Sequence, residues 1–109
     1  MKFGKLKRKR PATVEAYVEL INQALFEIAD SRDAIEFELD SMEPVAEFIN
    51  ELDAGVKALK QLMVDGTYQF ENKDLPFMSI VKKQSYQTLP FKRLLEDINM
   101  THREGLEID

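Results

Sequence analysis

The stretch Ile35-Glu36-Phe37-Glu38-Leu39-Asp40-Ser41-Met42-Glu43-Pro44 decides between two folds. From Ile35 to Asp40 apolar and acidic residues alternate, which is the period of a half-buried strand. The same residues also extend a helical pattern that begins much earlier. Advancing about 100 degrees per residue, Val14, Tyr17, Val18, Ile21, Ala24, Leu25, Ile28, Ile35, Leu39 and Met42 fall within an arc of roughly 140 degrees. One phase held over that length favours a long amphipathic helix from Val14 to Met42. A strand over 34–40 is the alternative, and Asp30-Ser31-Arg32-Asp33 is where a break would fall. Thr13, behind Pro11, is the expected N-cap.

Pro44 cannot sit inside a helix without losing a backbone hydrogen bond and clashing with the turn before it, but the first turn tolerates it. It therefore predicts a second helix over Pro44 to Val64, capped by Ser41, with Val45, Phe48, Ile49, Leu52, Val56, Leu59 and Met63 on one face. Asp65-Gly66 ends it, glycine supplying the left-handed conformation common past helix ends. A short link near residues 40–43 folds the two helices into an antiparallel hairpin. Thr67-Tyr68-Gln69-Phe70 is too short for a sheet and is expected as an extended connector laying Tyr68 or Phe70 on the hairpin.

Leu-Pro-Phe then occurs twice, at 75–77 and 89–91. Asp74 and Thr88 precede the two copies as candidate N-caps, and each proline fits a first helical turn. Met78, Ile80 and Val81 after the first copy mark a core element. Leu94, Leu95 and Ile98 after the second, with Lys92 and Arg93 between, mark an amphipathic surface or interface helix. The expected fold is all-α, a long antiparallel helical hairpin with two shorter C-terminal helices packed on it, four-helix and bundle-like. Residues 1–11 read as a basic flexible arm, 12–101 as a single helical domain and 102–109 as a frayed polar tail.

A chain of 109 residues that is 44% apolar suffices for one packed core. It has no cysteine, so disulfides, thiolate metal sites and cysteine nucleophiles drop out, and a reducing cytoplasm is the expected setting. No apolar run approaches the roughly 20 residues of a membrane helix, and the basic start leads into Pro11 and acidic sequence where a secretory signal needs a hydrophobic stretch. The net charge of −5 conceals a division. Residues 1–10 carry Lys2, Lys5, Lys7, Arg8, Lys9 and Arg10 and no acid, whereas residues 11–71 are dominated by Asp and Glu.

Candidate chemistry is sparse. The one histidine, His102, falls beside Arg103 and Glu104 in the polar tail and is expected to be solvent-exposed. No Ser-His-Asp set, no Glu-x-x-His pair, no calcium-loop spacing in DSRDAIEFELD and no glycine-rich phosphate loop is present. Glu43, Glu47 and Glu51 recur at helical spacing and read as a solvated face. No catalytic residue, metal or cofactor is expected.

Interaction residues are easier to name. Arg32 interrupts the apolar stripe of the first helix and needs a carboxylate, on a neighbouring helix or on a partner. Phe26 and Phe37 lie roughly opposite that stripe and call for cover, and Phe91 opens the predicted surface helix. The chain is thus expected to be a small, non-enzymatic helical interaction or regulatory protein that pairs with another protein or with itself as a homodimer. The alternative is a nucleic-acid-associated accessory protein whose arm, Lys5, Lys7, Arg8, Lys9 and Arg10, meets phosphates or an acidic partner. No membrane role is expected.

Overall fold

A computed structural model describes residues 10–37 and 43–107, with the backbone alone at 35–37 and 43–46. The described residues are all-helical, in the order α1 (Val14–Phe37), α2 (Glu43–Asp65), α3 (Met78–Val81) and α4 (Lys92–Glu104). The helical phase therefore prevails over the alternation as far as Phe37. The expected continuation to Met42, the Ser41 cap and the link itself lie outside the described residues. α2 opens at Glu43, which leaves Pro44 in its first turn.

α1 starts where the cap predicts. The Ala16 amide donates to Thr13 Oγ1 at 3.1 Å and the Tyr17 amide donates to the Thr13 carbonyl at 3.1 Å. α2 ends in a Schellman arrangement. Gly66 takes φ 76°, its amide donates to the Met63 carbonyl, and the Thr67 amide reaches back to Leu62 at 3.0 Å. The two long helices run antiparallel. Arg32, late in α1, meets Asn50 and Asp53 early in α2, while Tyr17, early in α1, meets Tyr68 just past the end of α2.

One core joins all four helices. α1 contributes Tyr17, Ile21, Ala24 and Ile28, and α2 contributes Ile49, Leu52, Val56 and Leu59. The buried stripe of α1 is narrower than the predicted arc, with Val14 53% exposed at its edge and Val18 and Leu25 half-buried. The second half closes the core with Leu75, Phe77, Met78, Val81, Leu89, Phe91, Leu95 and Ile98.

The two Leu-Pro-Phe copies build the same turn. The Met78 amide donates to the Leu75 carbonyl at 3.0 Å, and the Lys92 amide donates to Leu89 at 2.9 Å. Proline at the second position pre-sets φ for such a type I turn, and Phe77 (φ −73°, ψ −7°) sits in its third position. In both copies leucine and phenylalanine are buried and proline is exposed. The helix boundary consequently falls at Phe77 and Phe91, which make no side-chain cap bond, and not at Asp74 or Thr88. Thr88 instead closes a turn on Ser85.

Asp74 has a different task. Its carboxylate accepts from Lys82, from Asn99 Nδ2 at 2.9 Å and from Arg103 at 3.2 Å, while Asn99 Oδ1 accepts the Leu75 amide at 2.8 Å. The hydrogen bonds from Lys82 and then Asn99 hold its carboxyl at about 2. This clamp fastens the first Leu-Pro-Phe turn to α4.

The expected contrast between a core α3 and a surface α4 is reversed in extent. α3 is a single turn, whereas α4 runs 13 residues and buries Leu95, Ile98, Asn99, Thr101 and His102. The tail is not frayed over its described part either. α4 extends to Glu104, and the Glu107 amide donates to the Pro11 carbonyl at 2.9 Å. Arg10 completes this strap, its Nε donating to the Gly105 carbonyl at 2.9 Å and its guanidinium meeting Glu104 at 2.8 Å. A polar tail is held because it supplies acceptors to Arg10.

Gly55 lies inside α2, where glycine costs a helix about 1 kcal/mol relative to alanine. The reason is Phe77: a Cβ on Gly55 would come within 2.9 Å of the Phe77 Cβ and 3.2 Å of its ring. Gly55→Ala is therefore expected to destabilise the protein by about 1–3 kcal/mol in urea unfolding despite its better helix propensity. A stabilised variant would show that Phe77 yields.

Candidate functional site

The outer face of α1 carries Glu15, Glu19, Asn22, Phe26, Asp30 and Asp33, all exposed. They lie three or four residues apart, so they form one stripe opposite Tyr17, Ile21, Ala24 and Ile28. Phe26 is 68% exposed at its centre. Among the described residues, none of the four carboxylates of the stripe has a salt-bridge partner.

Arg32 belongs to a different face. Its Nε and Nη2 donate to Asn50 Oδ1 at 3.2 and 2.9 Å, and Nη2 lies 3.1 Å from Asp53 Oδ2. Lys57, one turn on in α2, reaches the same oxygen at 2.9 Å. The carboxylate that Arg32 needs thus comes from its own chain. Burial works to raise the Asp53 carboxyl, but the hydrogen bonds from Lys57 and Arg32 outweigh it and hold it below the usual range.

The remaining expected residues separate. Phe91 is buried in the core of its own chain, placed there by the second Leu-Pro-Phe turn, and so is not a free surface residue. Arg10 is engaged with Glu104 and Glu107. Lys5, Lys7, Arg8 and Lys9 lie outside the described residues, and so does the side chain of Phe37. From Lys82 to Arg93 the chain carries four bases and no acid, with Tyr86 54% exposed beneath the Lys92 ammonium, 5.0 Å from its ring centre.

One cluster escaped the sequence reading. His102, expected in solvent, is 5% exposed. Its Nδ1 lies 2.6 Å from the Tyr68 hydroxyl, which lies 3.5 Å from that of Tyr17, and Tyr17 donates to the Ile98 carbonyl at 2.9 Å. Phe70 stacks on Tyr17 with ring centroids 5.8 Å apart. The 2.6 Å separation is that of an O–H···N bond, shorter than the usual N–H···O range, which assigns the Tyr68 proton to Nδ1 and the proton of the neutral imidazole to Nε2; with the Tyr17 proton on Ile98, the 3.5 Å contact between the two hydroxyls then carries no hydrogen bond. A signal for this existed: Phe91, Leu95, Ile98 and His102 continue one helical face, provided the helix outlasts the polar residues around them.

Beside this cluster opens a cleft of about 410 Å³, lined by Leu59, Leu62, Tyr68, Leu75, Pro76 and His102, with Thr67, Gln69, Glu71, Lys73 and Asp74 at its edges. Burial lowers the His102 pKa; Glu71 opposes that shift and Lys73 adds to it. Burial raises Tyr17 and Tyr68. Among the described residues no helix is long and apolar enough to cross a membrane, and no three His, Asp or Glu side chains gather as for a metal ion. Comparison with known proteins finds no matching family model, no matching curated protein and no matching solved structure.

Two outcomes follow from the charges. Arg32→Leu leaves Asp53 to Lys57 alone and is expected to lose about 1–2 kcal/mol in urea unfolding at pH 7. Because the folded carboxyl titrates below its unfolded value of about 4, that loss should shrink as acid protonates Asp53. His102 is held neutral, so its contribution is complete above its unfolded pKa near 6.5 and declines as pH falls toward the lower folded value. The thermal midpoint should fall between pH 7 and pH 5, and His102→Gln should flatten that slope.

Proposed function

We propose that the protein is a small, non-enzymatic helical interaction protein that offers the outer face of α1, centred on Phe26, to a protein partner, in the first instance a second copy of itself. The observation that carries this reading is Phe26, an aromatic side chain 68% exposed on the outer face of α1, which the described residues of its own chain do not cover. Aromatic anchors ringed by polar residues are the usual centres of protein interfaces. Four carboxylates around it favour a basic counter-surface, since acid against acid would repel. The acid-free segment from Lys82 to Arg93, with exposed Lys83 and Arg93, offers that chemistry on a second copy. A chain without cysteine suits a cytoplasmic setting.

Sedimentation of the whole chain over a range of concentrations tests the reading. Wild type is expected to self-associate, more weakly in high salt, and Phe26→Ser to sediment as a monomer while its unfolding midpoint stays within about 0.5 kcal/mol of wild type. A wild type that remains monomeric throughout would remove self-association.

A further inference from the structure

We infer that the cleft between the end of α2, the Tyr68–Pro76 segment and His102 binds a small amphiphilic carboxylate, its apolar chain on Leu59, Leu62 and Leu75 and its head on His102 Nε2–H. This goes beyond the α1 surface and does not depend on it.

Three observations carry it. First, His102 is almost wholly buried and lines the cleft, and while its Nδ1 meets Tyr68 its Nε2 has no hydrogen-bond partner among the described residues. Secondly, that nitrogen carries the proton. The Tyr68 hydroxyl, 2.6 Å from Nδ1, holds the tautomer by donating there, so the site presents a donor whose geometry is set before any ligand arrives. Thirdly, the surroundings match an amphiphile. The floor is leucine and proline, and the volume falls within the usual range for small-molecule sites.

The charges at the rim leave the donor available. Glu71 faces Lys73 at 3.8 Å, and the Asp74 carboxylate is engaged by Lys82, Asn99 and Arg103, so neither acid occupies Nε2. A carboxylate oxygen makes a stronger hydrogen bond to this N–H than a neutral acceptor does. Phosphate-like dianions fit less well, since the site supplies one N–H and one exposed lysine.

The lone histidine makes the test direct, because the imidazole signals of the whole chain belong to one residue. Isotope-labelled full-length protein is titrated with sodium octanoate at pH 7, and in parallel with octylammonium chloride. Octanoate should shift His102 Nε2 and the amides of Leu62, Tyr68 and Leu75 saturably and should raise the pKa of the ring, because a bound anion favours imidazolium. Lys73→Ala, at an exposed position, should weaken binding by about three- to ten-fold. Tyr68→Phe, which frees the tautomer and keeps the apolar wall, should weaken it as well. No saturable shift by about 10 mM octanoate would overturn the inference, as would equal shifts with octylammonium, which would reduce the cleft to an apolar contact, or shifts confined to α1. Phe26→Ser should leave octanoate binding unchanged, so failure here and failure of the α1 surface are read separately.

Discussion

The hydroxyl of Tyr17 constrains everything around it. The ring is 1% exposed in the middle of the core, and a hydroxyl buried there without a partner would cost about 1–3 kcal/mol. It finds the Ile98 carbonyl, 81 residues away in sequence. That bond ties α1 to α4 and uses the Tyr17 proton, so Tyr17 has none to give to Tyr68. The Tyr68 hydroxyl meets His102 Nδ1 at 2.6 Å, the length of an O–H···N bond, which leaves the imidazole proton on Nε2. Core and cleft wall thus share one aromatic cluster.

The second half of the chain is held in place by turns and polar clamps more than by helix length. α3 is too short to be stable alone, since a helix nucleus is unfavourable until several turns follow it. Its position comes from two identical Leu-Pro-Phe turns, each burying a leucine and a phenylalanine around an exposed proline. Gly55 lets Phe77 approach the α2 backbone, and Asp74 with Asn99 fastens the first turn to α4. The repeated word is thus a packing device: the groups a docking motif would display are the ones it buries.

Charge is distributed by face. The acids of α1 that point outward have no ion partners among the described residues, whereas Asp53 and Asp74 are engaged by bases of their own chain. The basic residues divide similarly, with Arg10 and Arg32 neutralising internal acceptors and Lys83 and Arg93 exposed in the acid-free segment. An outward acidic stripe with one exposed aromatic and a separate basic segment on the same chain suit association between copies.

Local chemistry was enough for much of this. The 3.6-residue period of Val14 to Ile28, the Thr13 cap, the Asp65-Gly66 stop and the start of α2 around Pro44 are decided by neighbours a few residues apart, and the all-helical fold follows from them. Phe26 on the outer face of α1, opposite the core stripe, was legible for the same reason. What only the tertiary structure decided involves partners distant in sequence. Asp74 looked like a cap and became a clamp because Asn99 and Arg103 arrive from α4. Arg32 was legible as a charge in need of a carboxylate, but Asp53 as its source was not. The polar tail is ordered through Glu107 because Arg10 and Pro11 return to it, and His102 is buried because Tyr17 and Tyr68 form its wall. Helical periodicity assigns a residue to a face of its own helix; which distant group meets that face is settled only when the hydroxyls, amides and charges of the whole chain have found partners.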